Sequence, residues 1–155
     1  MSEEHTLAEA DLQLVIFRLR DEEFGVEINQ VREIVPLIDI TPIPVSDEFI
    51  IGVINLRGEV IPVIDLARQF GLPVLSSLPK TARIVVIEAR DNTVGMIVDE
   101  VPHVLKLSAS NIELAPEIIQ KSIRAYIKGV GKLEDRLIIL LDLSKVFGNA
   151  AQEAK

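Results

Sequence analysis

The chain has no cysteine and no tryptophan, one tyrosine and two histidines. Each scarcity removes a class of chemistry. Without cysteine there is no disulfide framework and no thiolate nucleophile, a composition that suits a reducing compartment and leads us to expect the cytoplasm. The histidines, His5 and His103, each lack a second histidine at ligand spacing, so no metal site is expected. Lysine and arginine together number 16 against 24 acidic residues, for a formal net charge of −8, and no basic cluster breaks the pattern. A surface for nucleic acid would need the opposite balance. No apolar run approaches the ~20 residues of a transmembrane helix, so direct membrane insertion is not expected. The N-terminal MSEEHTLAEAD has neither the basic nor the apolar region of a secretory signal. No GxSxG elbow, phosphate-binding glycine loop or HExxH helix occurs, so neither an enzyme nor a cofactor is expected.

What is present is aliphatic. At 48% hydrophobic content the chain can bury a real core. The most informative stretch is GVINLRGEVIPVIDL, from Gly52 to Leu66. Val53, Ile54 and Leu56 form one β-rich run, Val60, Ile61, Val63 and Ile64 another, and Arg57-Gly58-Glu59 lies between them. That pattern is a hairpin, with Gly58 supplying the positive φ of a tight turn and Asn55 and Arg57 near the tip. Asp65 is placed to cap a short helix, Leu66 to Phe70, which Gly71 closes. Pro62 within a strand suggests an edge position.

The layout recurs. Gly52, Val53, Leu56, Ile61, Asp65, Leu66, Phe70 and Gly71 fall without a gap on Gly129, Val130, Leu133, Ile138, Asp142, Leu143, Phe147 and Gly148. Upstream, LVIFRLRDEEFGVEINQVREIV from Leu14 overlays IVVIEARDNTVGMIVDEVPHVL from Ile84, with Arg20-Asp21 on Arg90-Asp91 and Gly25 on Gly95. The halves therefore read as copies of one unit. Each alone would be marginal, so their apolar faces are expected to join in one continuous core. The expected organisation is a tail over 1–11, a first subdomain over 12–80, a second over 81–148, and a tail or helix end over 149–155.

Most elements follow directly. Strands are expected at 12–19, 24–28, 82–89, 93–98, 125–133 and 137–141, besides the two of the central hairpin, with a last helix from Leu143. Asn29 is placed to cap a helical turn carrying Val31, Ile34 and Val35, and 101–107 should repeat that turn. Asp39 to Pro44 should be extended, Ser46 to Glu48 should be a capped turn, and Ser110 to Arg124 should be one or two short helices. Many short strands with minor helices indicate an all-β architecture of small barrels or a sandwich.

Agreement between the copies marks framework, and disagreement marks specialisation. At the hairpin tip Asn55-Leu56-Arg57-Gly58 faces Lys132-Leu133-Glu134-Asp135, and only leucine survives. A turn demands none of those polar identities, so a solvated turn and a contact site both remain open for Asn55 and Arg57. Asp65 and Asp142 could be imagined as a catalytic pair, but their position at strand-to-helix junctions, without a following glycine, makes them caps. Val31, Ile34, Val35, Ile38, Ile40 and Val98 are more aliphatic side chains than two small barrels need inside. They are either core or the wall of a groove that receives a helix of another protein.

Taken in order, EFGVEINQVREIV, ITPIP, FIIGVINLRGEVIPVIDL, VGMIVDEV and YIKGVGKLEDRLIILLDL resemble the CheW-type chemotaxis coupling proteins over about Leu12 to Phe147. The resemblance implies two five-stranded SH3-like β-barrels packed side by side, with strands or the terminal helix free to cross between them. It implies a non-enzymatic adaptor that joins the cytoplasmic tip of chemoreceptors to the regulatory domain of the histidine kinase CheA, recruited to membrane receptor arrays and open to ring assembly with the kinase or itself. Carried over by motif, Arg57, Asn55, Gly52, Val31, Glu33 and Val98 would face the receptor, with Glu33 pairing Arg57, and Ile40, Thr41 and Ile43 would face the kinase. A detached CheA-like regulatory domain, or the coupling module of a related signalling complex, is the alternative.

Overall fold

The computed structural model describes residues 11–44, 49–89, 91–117, 119 and 121–147. The expected turns at Ser46–Glu48 and Arg90, and both tails beyond Asp11 and Phe147, lie outside the described residues. Among the described residues eleven strands make two sheets. The first contains β1 (Leu12–Leu19), β2 (Glu22–Glu27), β8 (Glu100–Leu107), β9 (Ile112–Glu113), β10 (Ile127–Leu133) and β11 (Arg136–Leu141), in the order β8-β1-β2-β11-β10-β9. The second contains β3 (Val31–Pro36), β4 (Ile50–Leu56), β5 (Glu59–Asp65), β6 (Arg83–Ala89) and β7 (Asn92–Val98), in the order β3-β6-β7-β5-β4. Two short helices, α1 (Leu66–Gln69) and α2 (Lys121–Arg124), and a helical turn at 143–147 complete the described chain.

The sheets do not follow the halves of the sequence. β1 and β2 belong to the first copy but pair with β8 and β11 of the second, while β6 and β7 belong to the second copy but pair with β3 and β5 of the first. The expected division at 80/81 therefore does not coincide with the sheet partition. Each copy donates its leading hairpin to the other. Under the repeat the two strand orders superpose, down to the parallel pairings β2 with β11 and β5 with β7. Repetition of sequence locates the unit but leaves open whether its hairpin closes on itself or on its twin, because both choices make the same hydrogen bonds.

Each sheet curls into an SH3-like barrel, of five strands in the second sheet and of five plus the two-residue β9 in the first, and three apolar clusters fill the described residues. Val35, Ile54, Leu56, Ile61, Val63, Ile84, Val86 and Ile97 fill the barrel of the second sheet. Leu14, Ile16, Leu107, Ile138 and Leu140 fill the other. The largest cluster lies between them and draws on both sheets, including Val15, Phe17, Phe24, Ile64, Phe70, Val85, Met96, Val98, Leu141 and Phe147. Stacked or tilted rings run through it, Phe17 to Phe24 at 5.7 Å, Phe24 to Phe70 at 5.5 Å and Phe70 to Tyr126 at 5.5 Å. Such pairs add about 0.5–1.5 kcal/mol each beyond area burial.

Several local expectations need correction. Val31, Ile34 and Val35 do not ride a helical turn: the turn is a 3-10 segment at Ile28–Gln30 without a side-chain cap, and the three residues lie on strand β3. The β-branched run Val-x-x-Ile-Val suits a pleated surface, and β6 supplies its partner. The counterpart at 101–107 is likewise one strand, β8, paired to β1. Between Ser110 and Arg124 the chain makes a 3-10 turn at Ala109–Asn111, the two-residue β9 and then α2, so less helix than expected. Pro62 is not on an edge strand, since β5 lies between β4 and β7. It faces Val53, whose own N–H and C=O are bonded to Thr41 on the far side, and pairing with β7 begins only at Val63. The missing amide thus falls where no ladder bond is due.

Candidate functional site

The β4–β5 hairpin turns as expected, with Arg57 at φ 52° and Gly58 at φ 88°. Two consecutive positive φ values match the right-handed twist of the flanking strands. Asn55 contributes inward: its side-chain oxygen accepts the Gly58 N–H at 2.9 Å and so braces the turn. Arg57 reaches outward, its side chain 66% exposed, and its guanidinium donates to the Glu33 carboxylate on β3. That contact joins the two ends of the five-stranded sheet. Beside it Arg32 donates to Glu59 at 2.7 Å and lies 3.9 Å from Glu88. The hydrogen bond from Arg32 holds the Glu59 carboxyl below its ordinary range, and the nearby Arg57 charge acts in the same direction. Arg32 is correspondingly raised, first by that same bond.

Arg32 and Glu59 were missed as members of this cluster. A signal existed, since the repeat places Pro102 and Arg136 at the same two positions, where the fold itself makes no demand.

Val31 is half-buried against the inter-barrel cluster, and Ile34 on the same face of β3 is 38% exposed. Val98 departs from expectation: it is 0% exposed and packed in the inter-barrel core, so it forms no wall of a surface groove here. Its alternation on β7 with Met96 and Val94 commits it to the buried face.

Gly52 also takes a different part. It is buried, and a Cβ there would lie 2.4 Å from the Thr41 carbonyl oxygen and 2.8 Å from Ile40 Cγ2. The residue lets the Ile40-Thr41 segment lie flat against β4, where Thr41 and Val53 exchange hydrogen bonds of 2.8 and 2.9 Å. Thr41 is exposed, while Ile40 and Ile43 are half-buried. The barrel of the first sheet repeats the device, with β9 lying on β10 at Val130 and a Cβ on Gly129 meeting Ile112 Cγ2 at 2.9 Å.

The barrel of the first sheet does not repeat the charged tip. Glu33 opposes Val86, and its counterpart opposing Ile16 is His103. There Arg136 makes a double hydrogen bond to Glu23, 3.0 Å on each nitrogen, and lies 3.0 Å from His103 Nε2. One molecule therefore carries two differently charged barrel ends. Asp65 and Asp142 act as caps, accepting from the Arg68 N–H at 3.3 Å and from the Ser144 N–H and hydroxyl at 3.1 and 2.7 Å. No cluster of metal-ligating side chains occurs among the described residues, and no described helix is long and apolar enough to cross a membrane.

The description "CheW-like domain" matches residues 13–151. The chain belongs to the CheW family. It is 37% identical over 151 residues to a probable chemotaxis protein CheW of Rhizobium etli, covering 96% of each chain. To the chemotaxis protein CheW of Bacillus subtilis it is 36% identical, covering 92% of this chain and 90% of that one. The crystal structure of the scaffolding protein TtCheW from Thermoanaerobacter tengcongensis superposes with a TM-score of 0.77 at 38% identity, over 85% of this chain and 84% of that one. The CheW fold thus accounts for the paired barrels described above.

Proposed function

We propose that this chain is a non-enzymatic chemotaxis coupling protein that bridges the cytoplasmic tip of chemoreceptors to the regulatory domain of the histidine kinase CheA. In this reading it works in the cytoplasm, recruited to membrane receptor arrays. One observation carries the proposal: an outward arginine, Arg57, held by Glu33 on a barrel tip whose charges the sister barrel lacks. Family membership supports this choice of partners. The receptor surface comprises Arg57, held by Glu33 and the Asn55 turn, with Val31 and Ile34 on the same strand as Glu33. The kinase surface comprises Ile40, Thr41 and Ile43. Both surfaces border β4, Thr41 beside Val53 and Arg57 in the turn that follows Leu56. An adaptor needs no chemistry of its own, only two surfaces on one rigid body, and reversible interfaces of this kind bind near micromolar, about −8 kcal/mol.

The test is titration calorimetry of the protein against a receptor tip fragment and against the kinase regulatory domain, then against each in the presence of the other. Simultaneous binding of both is expected. Binding of neither, or mutual exclusion, would overturn the bridging role.

A further inference from the structure

The described chain passes between the two sheets at two places, the 3-10 turn Ile28–Gln30 and the single residue Asp99 between β7 and β8. Asp99 is the one buried charged residue among the described residues, its side chain 12% exposed. Its carboxylate accepts the Arg20 backbone N–H at 2.6 Å and the Arg20 guanidinium at 3.0 and 2.9 Å. Its backbone N–H donates to the Arg18 carbonyl at 2.9 Å, and its carbonyl accepts the Thr81 hydroxyl at 2.7 Å. Arg20 in turn donates through Nε to the Pro73 carbonyl at 2.8 Å. One residue pair thus gathers the β1–β2 turn of one sheet, the crossing into the other, and both ends of the connection that follows α1.

We propose that the Arg20–Asp99 pair is a positioning element that fixes the two barrels relative to each other, and that receptor-dependent control of the kinase needs it. The inference rests on the coupling function above. A largely buried ion pair is weak support for stability, because desolvation offsets most of its attraction, whereas bonds from both the backbone N–H and the guanidinium of Arg20 to one carboxylate specify one arrangement well. An adaptor with a receptor surface and a kinase surface transmits a signal only if a load on one changes the attitude of the other. Apolar contacts between the barrels are non-directional and tolerate small rotations. The Arg20–Asp99 bonds are directional and do not.

The absence of natural cysteine makes the test direct. Cysteines at the exposed positions Glu88 on β6 and Lys106 on β8 take spin labels, and the distance distribution between them reports the barrels' relation. Asp99→Asn is the first variant, and Arg20→Lys the second should Asp99→Asn not fold. We expect a broadened distribution, single-partner affinities within about threefold of wild type, and a loss of receptor-dependent kinase control of about tenfold. A folded variant with an unchanged distribution, or with full kinase control, overturns the proposal. Should the unsubstituted protein bind neither partner, the coupling function fails, and the distance measurement still decides the barrels' relation.

Discussion

Arg57 and Glu33 stand at opposite ends of a five-stranded sheet in strand order, and their side chains are bonded to each other. The curl of the sheet brings its first and last strands together, and the pair sits at the seam. Because Arg57 is largely exposed, the bond contributes little to folding, about 0–1 kcal/mol. Its effect is to aim a guanidinium.

Glu33→Gln should therefore separate stability from binding. Urea denaturation is expected to show a change below about 1 kcal/mol. Receptor-tip affinity should fall about five- to thirtyfold, the result of releasing a rotamer-rich side chain that must then be ordered on binding. Equal losses in both measurements would mean that Glu33 is a structural residue.

Gly52→Ala should act through the kinase-side segment. A methyl group cannot fit 2.4 Å from the Thr41 carbonyl, so the Ile40-Thr41 segment has to lift from β4. The cost of such overpacking is about 1–3 kcal/mol. Hydrogen exchange at the Thr41 and Val53 amides, which are protected by their mutual bonds, should speed markedly. Unchanged exchange at both would show that the segment accommodates the methyl group in place.

Phe70→Ala removes the ring that links Phe24 to Tyr126 across the inter-barrel core. A loss of about 3–5 kcal/mol is expected by denaturant titration. Since the cluster draws on both sheets, the two barrels should still unfold in a single transition, checked by coincident tyrosine fluorescence and far-ultraviolet dichroism.

Asp142 provides a pH dependence. Bonds from Ser144, foremost its hydroxyl, lower the Asp142 pKa below the ordinary carboxylate value. A carboxyl depressed in the folded state stabilises the fold above its unfolded pKa, about 3.9, and that contribution fades as pH falls through the lower folded value. Asp142→Asn should flatten stability against pH below about pH 4 and, through the weakened cap, cost up to about 1 kcal/mol at neutral pH. An acid limb identical to wild type would contradict this.

The sequence made the fold legible wherever one local rule applied. Alternating aliphatic residues located the strands, Arg57-Gly58 located the hairpin turn, and Asp65 with Asp142 located the helix starts. The duplication was visible, but the exchange of leading hairpins was not, because self-pairing and cross-pairing satisfy the same backbone groups. Val31 to Val35 was misplaced on a helical turn, since a short apolar run fits either period until a partner strand is known. At the site, the Arg57–Glu33 pair was foreseen from the family likeness. Gly52 belongs to the framework, as its match to Gly129 already marks, whereas Val98 faces Ile28 in the other copy and is committed to the core by its alternation with Val94 and Met96.

The proposed function requires one rigid body with two separable surfaces. Its most direct test is calorimetry of two variants against both partners, Arg57→Glu at the exposed hairpin tip and Ile43→Asp on the segment beside β4. Arg57→Glu is expected to lose the receptor tip and keep the kinase regulatory domain, and Ile43→Asp to do the reverse, each loss exceeding about tenfold, or 1.4 kcal/mol. If both variants lose the same partner, or neither loses any, the two surfaces are not where this account places them.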